Sequence, residues 1–590
     1  MMNSADDCRG TPLSRRRFVQ CLTLGALASP LHVAGRVRAA QVLTAPQVHL
    51  QIEALGVRFA GRTRLATAVN GQIPGPLLRW RQGDTVTVHV TNRLSVPTSI
   101  HWHGILVPAD MDGVPGLSFE GIAPGQTFSY RLPLRQAGTY FYHSHSRFQE
   151  QTGLYGAIVI EPRAGERWPA AHDYTVLLSD WSDLDPEEIY RWLKVSSDHF
   201  QYGQRTLVDL ERDAHRAGAA AALDERLLWG RMRMSPTDLA DVTGAAYTYL
   251  MNGMTPTGNW TALFRPGARV RLRFINAASM SFFDVRIPGL KLTVVAADGQ
   301  DVAPVSVDEF RLGVGEVLDC LLEPQDRPYP LFAQTLDRSG FARGTLTPRA
   351  GLEAEVPLLD PRPILGLTDM GMAPQAMSRN AGPDAGARLT PHLDMSPMEM
   401  GHMDMGAAHS GAAGVAAGSF GPLVAGRAPD PQSRLGDPGV GLRGNGRRVL
   451  TYEDLHTLGG PLDARLPERE IVLHLTGHMQ RYVWSFDGRK FSEAEPLRFA
   501  YDERVRIVLV NDTMMLHPIH LHGMWSELLD AQGAFQARKH TVTVQPGQRV
   551  AYAVSARALG RWAYHCHLLY HMEAGMFREV QVSGPPGEHS

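Results

Sequence analysis

Ten histidines of this chain fall in four short runs: His101-Trp102-His103, His143-Ser144-His145, His517-Pro518-Ile519-His520-Leu521-His522, and His565-Cys566-His567 followed by His571. On a β-strand, residues i and i+2 leave the same face. Each His-x-His therefore delivers two imidazoles to one site, and four pairs deliver eight. Parity separates the remainder: Cys566 points away from His565 and His567, and His517 is out of phase with His520 and His522. Two sites follow, on opposite sides of the same strands. The smaller collects His517, Cys566, His571 and Met576. Two imidazoles, a thiolate and a weak thioether form the ligand set of a blue copper electron-transfer centre, where zinc takes further Cys or His in place of thioether sulfur. The larger site has imidazoles enough for three copper ions shared two, three and three. Neutral nitrogens with open positions suit the binding and reduction of dioxygen.

A second unevenly spread residue is methionine, with 22 in the chain and eight between Met370 and Met405. Met395, Met398, Met400, Met403 and Met405 alternate with Asp394, Glu399, His402 and Asp404, and Met370, Met372 and Met377 extend the tract more weakly. Soft thioether sulfur favours Cu(I) over Cu(II).

The elements that position these residues are strands. A turn dipeptide, a proline or acidic stretch, an alternating strand and an Asn occur three times: Asn70-Gly71 to Asn92, Asn252-Gly253 to Asn276, and Asp487-Gly488 to Asn511. Period-2 alternation, as in Thr85-Val86-Thr87-Val88-His89-Val90, marks β-structure. A second unit recurs only around the histidines: Pro124-Gly125-Gln126 precedes His143, and Pro546-Gly547-Gln548 precedes His565, both by 19 residues from the proline. Such units fit three all-β Greek-key sandwiches or barrels, at 41–165, 166–350 and 446–590. Within the second, an insertion from Asp185 to about Thr243 opens like a helix, with acids in its first turn, and carries no legible chemistry. The span 351–445, rich in Met, Gly, Ala and Pro, reads as a flexible linker.

The N-terminus, Ser14-Arg15-Arg16-Arg17-Phe18, leads into an apolar stretch from Cys21 to Val33 and the small residues Ala39 and Ala40. That order is a twin-arginine export signal over 1–40, too short to span a membrane. Its removal leaves 52 basic against 58 acidic side chains, a balance of −6. A nucleic-acid binder would carry a basic excess. The mature chain keeps Cys320, expected as a buried strand thiol, and Cys566, so a disulfide framework is excluded. Asn259-Trp260-Thr261 matches a glycosylation sequon only by chance, given that signal.

The four histidine motifs resemble the copper-binding segments of multicopper oxidases, three-domain cupredoxin proteins of the laccase and ascorbate oxidase type. The run from Arg469 through Glu579, with Asn511-Asp512-Thr513-Met514-Met515 and Tyr564-His565-Cys566-His567-Leu568-Leu569-Tyr570-His571-Met572-Glu573, is similar to the periplasmic copper-resistance members. So is Phe332-Ala333-Gln334 with Asp337-Arg338-Ser339-Gly340. The resemblance implies four copper ions. Type 1 copper would sit on His517, Cys566, His571 and Met576, and type 2 copper on His101 and His520. One type 3 ion would take His103, His143 and His567, the other His145, His522 and His565. The second domain, without histidine motifs, would be a spacer and scaffold.

The implied activity is four-electron reduction of dioxygen to water. Electrons would pass from Cys566 through its neighbours His565 and His567, and Asp112 resembles the family's cluster-side acid, a proton relay. Related enzymes often place another acid after the last type 1 histidine; this chain has Met572 there, then Glu573. The methionine tract points to Cu(I) as reductant and to a role in copper resistance. The expected protein is a periplasmic monomer that works with other copper-handling proteins, bound to neither nucleic acid nor membrane. Two other functions use the same residues: a laccase-like phenol oxidase, marked by an open organic pocket near His517 and His571, and a non-enzymatic copper sequestration protein.

Overall fold

The computed structural model describes residues 41–201, 203–372 and 421–584. The expected export signal and Met377, Met395, Met398, Met400, Met403 and Met405 lie outside the described residues.

Each of the three sequence repeats lies within a two-sheet β-sandwich. The first pairs a four-stranded with a five-stranded sheet, and the second and third each pair a six-stranded with a five-stranded sheet. The same parallel pair recurs in all three: Gln47–Val57 beside Thr85–Asn92, His172–Ser182 beside Val270–Asn276, and Arg469–His478 beside Arg504–Asn511. Antiparallel partners flank these pairs, which is the Greek-key pattern. Thr85–Asn92 buries alternate residues, as its sequence pattern requires.

The repeated residues have a physical role. Asn70, Asn252 and Asp487 adopt φ of 52°, 49° and 54°, the left-handed conformation that a tight hairpin turn demands and that Asn and Asp tolerate. Asn92, Asn276 and Asn511 are fully buried corner clamps. Each donates from Nδ2 to two backbone carbonyls: Val96 and Ile122, Ser281 and Leu312, Met515 and Val544. Each also accepts from the backbone N–H two positions on. Two of these corners lead directly into strands His101–His103 and His517–Leu521.

The insertion in the second sandwich is helical, over Pro186–Val195, Leu207–Ala217 and Ala219–Met232. Asp185 caps the first helix by accepting from Glu187 N–H at 2.8 Å, with Pro186 at the first helical position. In the span 351–445, Asp360 pairs with Arg286 and Arg447, and Arg443 with Asp369 and Asp437. Met370 is buried in the apolar core and Met372 packs against it, so neither is a free thioether. Cys320 is a buried free thiol on strand Val317–Leu322. Among the described residues no helix is long and apolar enough to cross a membrane.

Candidate metal centre

Four strand ends carry most of the histidines, and pairing brings them face to face. His101 lies opposite His143 in the first sandwich, and His520 opposite His565 in the third. Five groups of side chains offer ligand atoms within 4.8 Å of one another: His101, His103 and His520; His103, His143 and His567; His145, His522 and His565; His101, Asp112 and His522; and His517, Cys566 and His571. The first four form one cluster between the first and third sandwiches. The fifth stands apart.

In the cluster, protein carbonyls and a carboxylate occupy one nitrogen of most rings. His101 Nδ1 donates to Asp112 O (2.8 Å), His143 Nδ1 to Ser144 O (3.1 Å), His520 Nδ1 to His540 O (2.6 Å) and His565 Nδ1 to Cys566 O (3.0 Å). His522 Nδ1 donates to Asp112 Oδ2 at 2.8 Å. A neutral ring protonated at Nδ1 presents a bare lone pair at Nε2. Accordingly the Nε2 atoms of His101, His143 and His520 are buried without a partner. His565 Nε2 faces His522 Nε2 at 3.1 Å, lone pair against lone pair, and lies 3.3 Å from His145 Nε2. Only a cation reconciles such a set, and imidazole suits copper. His103 is reversed. Its Nε2 lies 3.1 Å from both His540 Nδ1 and Thr541 Oγ1, leaving Nδ1 to face His567 Nε2 at 3.2 Å.

Burial, reinforced by neighbouring imidazoles, holds His103, His145, His520, His522 and His567 well below the ordinary histidine range, and burial brings His565 down to about 3. The rings are thus neutral and ready to coordinate.

In the separate group, His517 and His571 approach through Nδ1 atoms 3.2 Å apart, with Cys566 Sγ 3.5 Å from the first and 3.8 Å from the second. His517 Nε2 donates to Thr513 Oγ1 at 2.8 Å, so both its orientation and its tautomer are set by the loop after Asn511. Met576 is fully buried, and its carbonyl accepts from Cys566 N–H at 3.1 Å. Trp484 stacks on His571 at 3.9 Å.

Three contributors escaped the sequence reading. Asp241, inside the insertion that carried no legible chemistry, accepts from His571 Nε2 at 2.7 Å and from Tyr482 OH at 2.8 Å. Burial raises its carboxyl to about 7. The second sandwich is therefore more than a spacer. Glu150 is buried with Oε2 3.3 Å from His143 Nδ1. His540 reaches His103. No motif marks any of the three. Asp112, which the sequence did single out, lies buried between His101 and His522. Glu573 instead ion-pairs with Arg147.

Comparison with known proteins agrees with this chemistry. Three multicopper oxidase family models match residues 51–165, 172–350 and 464–585. The chain is 53% identical to a copper resistance protein A homolog of Pseudomonas syringae pv. tomato, over 97% of this chain and 99% of that one. It is 50% identical to copper resistance protein A of Escherichia coli, over 96% and 99%. A laccase structure from Botrytis aclada shares the fold with a TM-score of 0.60 at 20% identity, covering 92% of this chain and 88% of that one. The neutral imidazoles turned inward, the thiol set apart on the same strand and these likenesses lead to one conclusion: the chain belongs to the multicopper oxidases, a family of copper-dependent oxidoreductases.

Proposed function

We propose that this multicopper oxidase oxidises Cu(I) in the periplasm, after twin-arginine export, as part of copper resistance. Four cuprous ions, one dioxygen and four protons give four cupric ions and two waters. Copper bound at the two sites supplies the one-electron oxidation and the reduction of dioxygen. His517, Cys566, His571 and Met576 would hold type 1 copper. His101 and His520 would hold type 2, with His103, His143 and His567 on one type 3 ion and His145, His522 and His565 on the other.

The chain's own groups divide the remaining work. Cys566 belongs to the first site, while its peptide neighbours His565 and His567 belong to the second, so a short covalent path joins them. Asp112 fixes His101 through its carbonyl and His522 through its carboxylate. Its Oδ1 makes no hydrogen bond, lies 3.3 Å from His101 Nδ1, and is the oxygen we propose for the proton relay.

One observation favours Cu(I) over a phenol. His517 and His571 have no exposed surface, and the outer nitrogen of His571 is closed by Asp241, with Tyr482 behind it. These rings present no exposed edge to an organic donor. The relatives named for copper resistance support the same role, and Cys566 between cluster ligands argues against storage alone. Dioxygen uptake by the copper-loaded protein tests this. Uptake with Cu(I) and not with an equal concentration of a phenolic donor is expected; uptake with the phenol alone overturns it, and none with either favours sequestration.

A further inference from the structure

His540 lies in none of the four motifs, yet it touches two members of the cluster. Its carbonyl accepts from His520 Nδ1 at 2.6 Å and its Nδ1 lies 3.1 Å from His103 Nε2. The Thr541 hydroxyl donates to Gly315 O at 3.2 Å. Thr541 Oγ1 is then an acceptor placed 3.1 Å from both His103 Nε2 and His540 Nδ1, and it is a proton on His103 Nε2 that leaves His103 Nδ1 bare toward a metal. With His540 Nδ1 accepting that same proton, the His540 proton sits on Nε2, an atom buried with no partner. His540 lines a small cavity together with His101, Gly104, His520 and Trp525.

The surroundings hold the ring in place. Asp298, fully buried in the second sandwich, accepts from the backbone N–H groups of His540 and Thr541 at 3.2 Å each, and Lys539 Nζ lies 3.0 Å from the same oxygen. On the other side, Gly104 makes the room. A Cβ there would stand 2.4 Å from His540 Cδ2, and its φ of +80° favours glycine.

We propose that His540 is a positioning residue with two separable contacts. Its Nδ1 holds His103 by Nε2 and so turns His103 Nδ1 toward the metal. Its Nε2–H donates to a small anion or water entering between His101 and His520. The inference rests on the cluster binding copper, but its first contact is testable without the metal.

Three variants separate the contacts, because the Asn side-chain oxygen falls near the position of Nδ1 and the Gln amide near that of Nε2. In copper-free protein, ¹⁵N-histidine spectra of wild type and His540→Asn should show His103 protonated at Nε2 alone, and His540→Leu should show a mixture of tautomers. After loading, His540→Gln should bind cluster copper about 10-fold more weakly, the low end for a residue supporting a ligand, since Thr541 still accepts. Azide affinity should fall roughly 10-fold in His540→Asn, the loss of one hydrogen bond, and stay unchanged in His540→Gln. The blue absorption of Cys566 and the melting temperature serve as controls for folding. His540→Leu with wild-type tautomers, copper content and azide affinity overturns the proposal, as does equal impairment of the Asn and Leu variants in every readout. Failure of wild type itself to take up copper would instead overturn the reading of the cluster.

Discussion

His571 Nε2 and Asp241 Oδ2 lie 2.7 Å apart, although 330 positions separate them in sequence. The contact joins the helical insertion of the second sandwich to the thiol-bearing site of the third. In its ionised form this carboxyl, which burial raises to about 7, makes the imidazole a better donor and favours the more highly charged oxidised metal. Asp241→Asn should therefore raise the type 1 potential by roughly 60 mV, equivalent to a tenfold change in a one-electron constant. It should also slow Cu(I) oxidation. Redox titration of the blue band checks this; an unchanged potential would show that Asp241 only fills space.

Cys566→Ser should abolish the blue colour and turnover together, because the hydroxyl is a poor copper ligand and the path to His565 and His567 loses its sulfur. The cluster nitrogens are left intact, so about three of four copper ions should remain. Absorption spectra and copper analysis decide it. Blue colour surviving the change would refute the assignment of the thiol.

The corner asparagines allow a comparison within one chain. Asn276 and Asn511 make the same two side-chain donations and the same backbone acceptance. Replacing either by Ala strands two buried carbonyls and should cost about 2–4 kcal/mol. Only Asn511 also holds Thr513, whose hydroxyl donates to Asn511 Oδ1 at 2.9 Å and positions His517. Asn511→Ala should lose type 1 copper as well as stability, and Asn276→Ala stability alone. Denaturant melts alongside blue-band intensity would separate the two effects.

What the sequence reveals about this molecule depends on locality. A strand's two-residue period fixes which side chains share a face, so the His-x-His pairs, Cys566 and His517 sort into two sites from spacing alone. The corner Asn and hairpin turns recur at nearly constant spacing because each sandwich needs them. Asp241, Glu150 and His540 obey no such period. Each is a single polar residue brought in by packing between distant segments, and only the folded chain shows that His571, His143 and His103 are its partners. Met370 misleads for a related reason: composition groups it with the methionine tract, but neighbouring apolar side chains bury it.

Deletion of residues 391–405 should lower Cu(I)-driven dioxygen uptake while leaving the blue band unchanged. The five thioethers removed favour cuprous ion, and none belongs to the four motifs. Parallel assays with Cu(I) and with an outer-sphere reductant make the comparison. Equal losses with both donors would mean that the segment serves the protein rather than the substrate.

Copper removal should expose a histidine-driven acid instability. In the copper-free folded protein, His565 is held down to about 3 by burial, against about 6.5 for an unfolded histidine. As pH falls below 6.5 the unfolded chain takes up a proton that the folded chain refuses, so stability declines. Each such ring removes about 1.4 kcal/mol per pH unit. His103, His145, His520, His522 and His567 share the direction of shift, so the loss is steep. For His565 it begins near pH 6.5 and continues down to about pH 3. Copper bound to the same nitrogens favours the folded state and moves the decline to lower pH. Calorimetric melts at pH 7, 6 and 5 with and without copper should diverge as pH falls; parallel curves would mean that the clustered imidazoles do not govern acid stability.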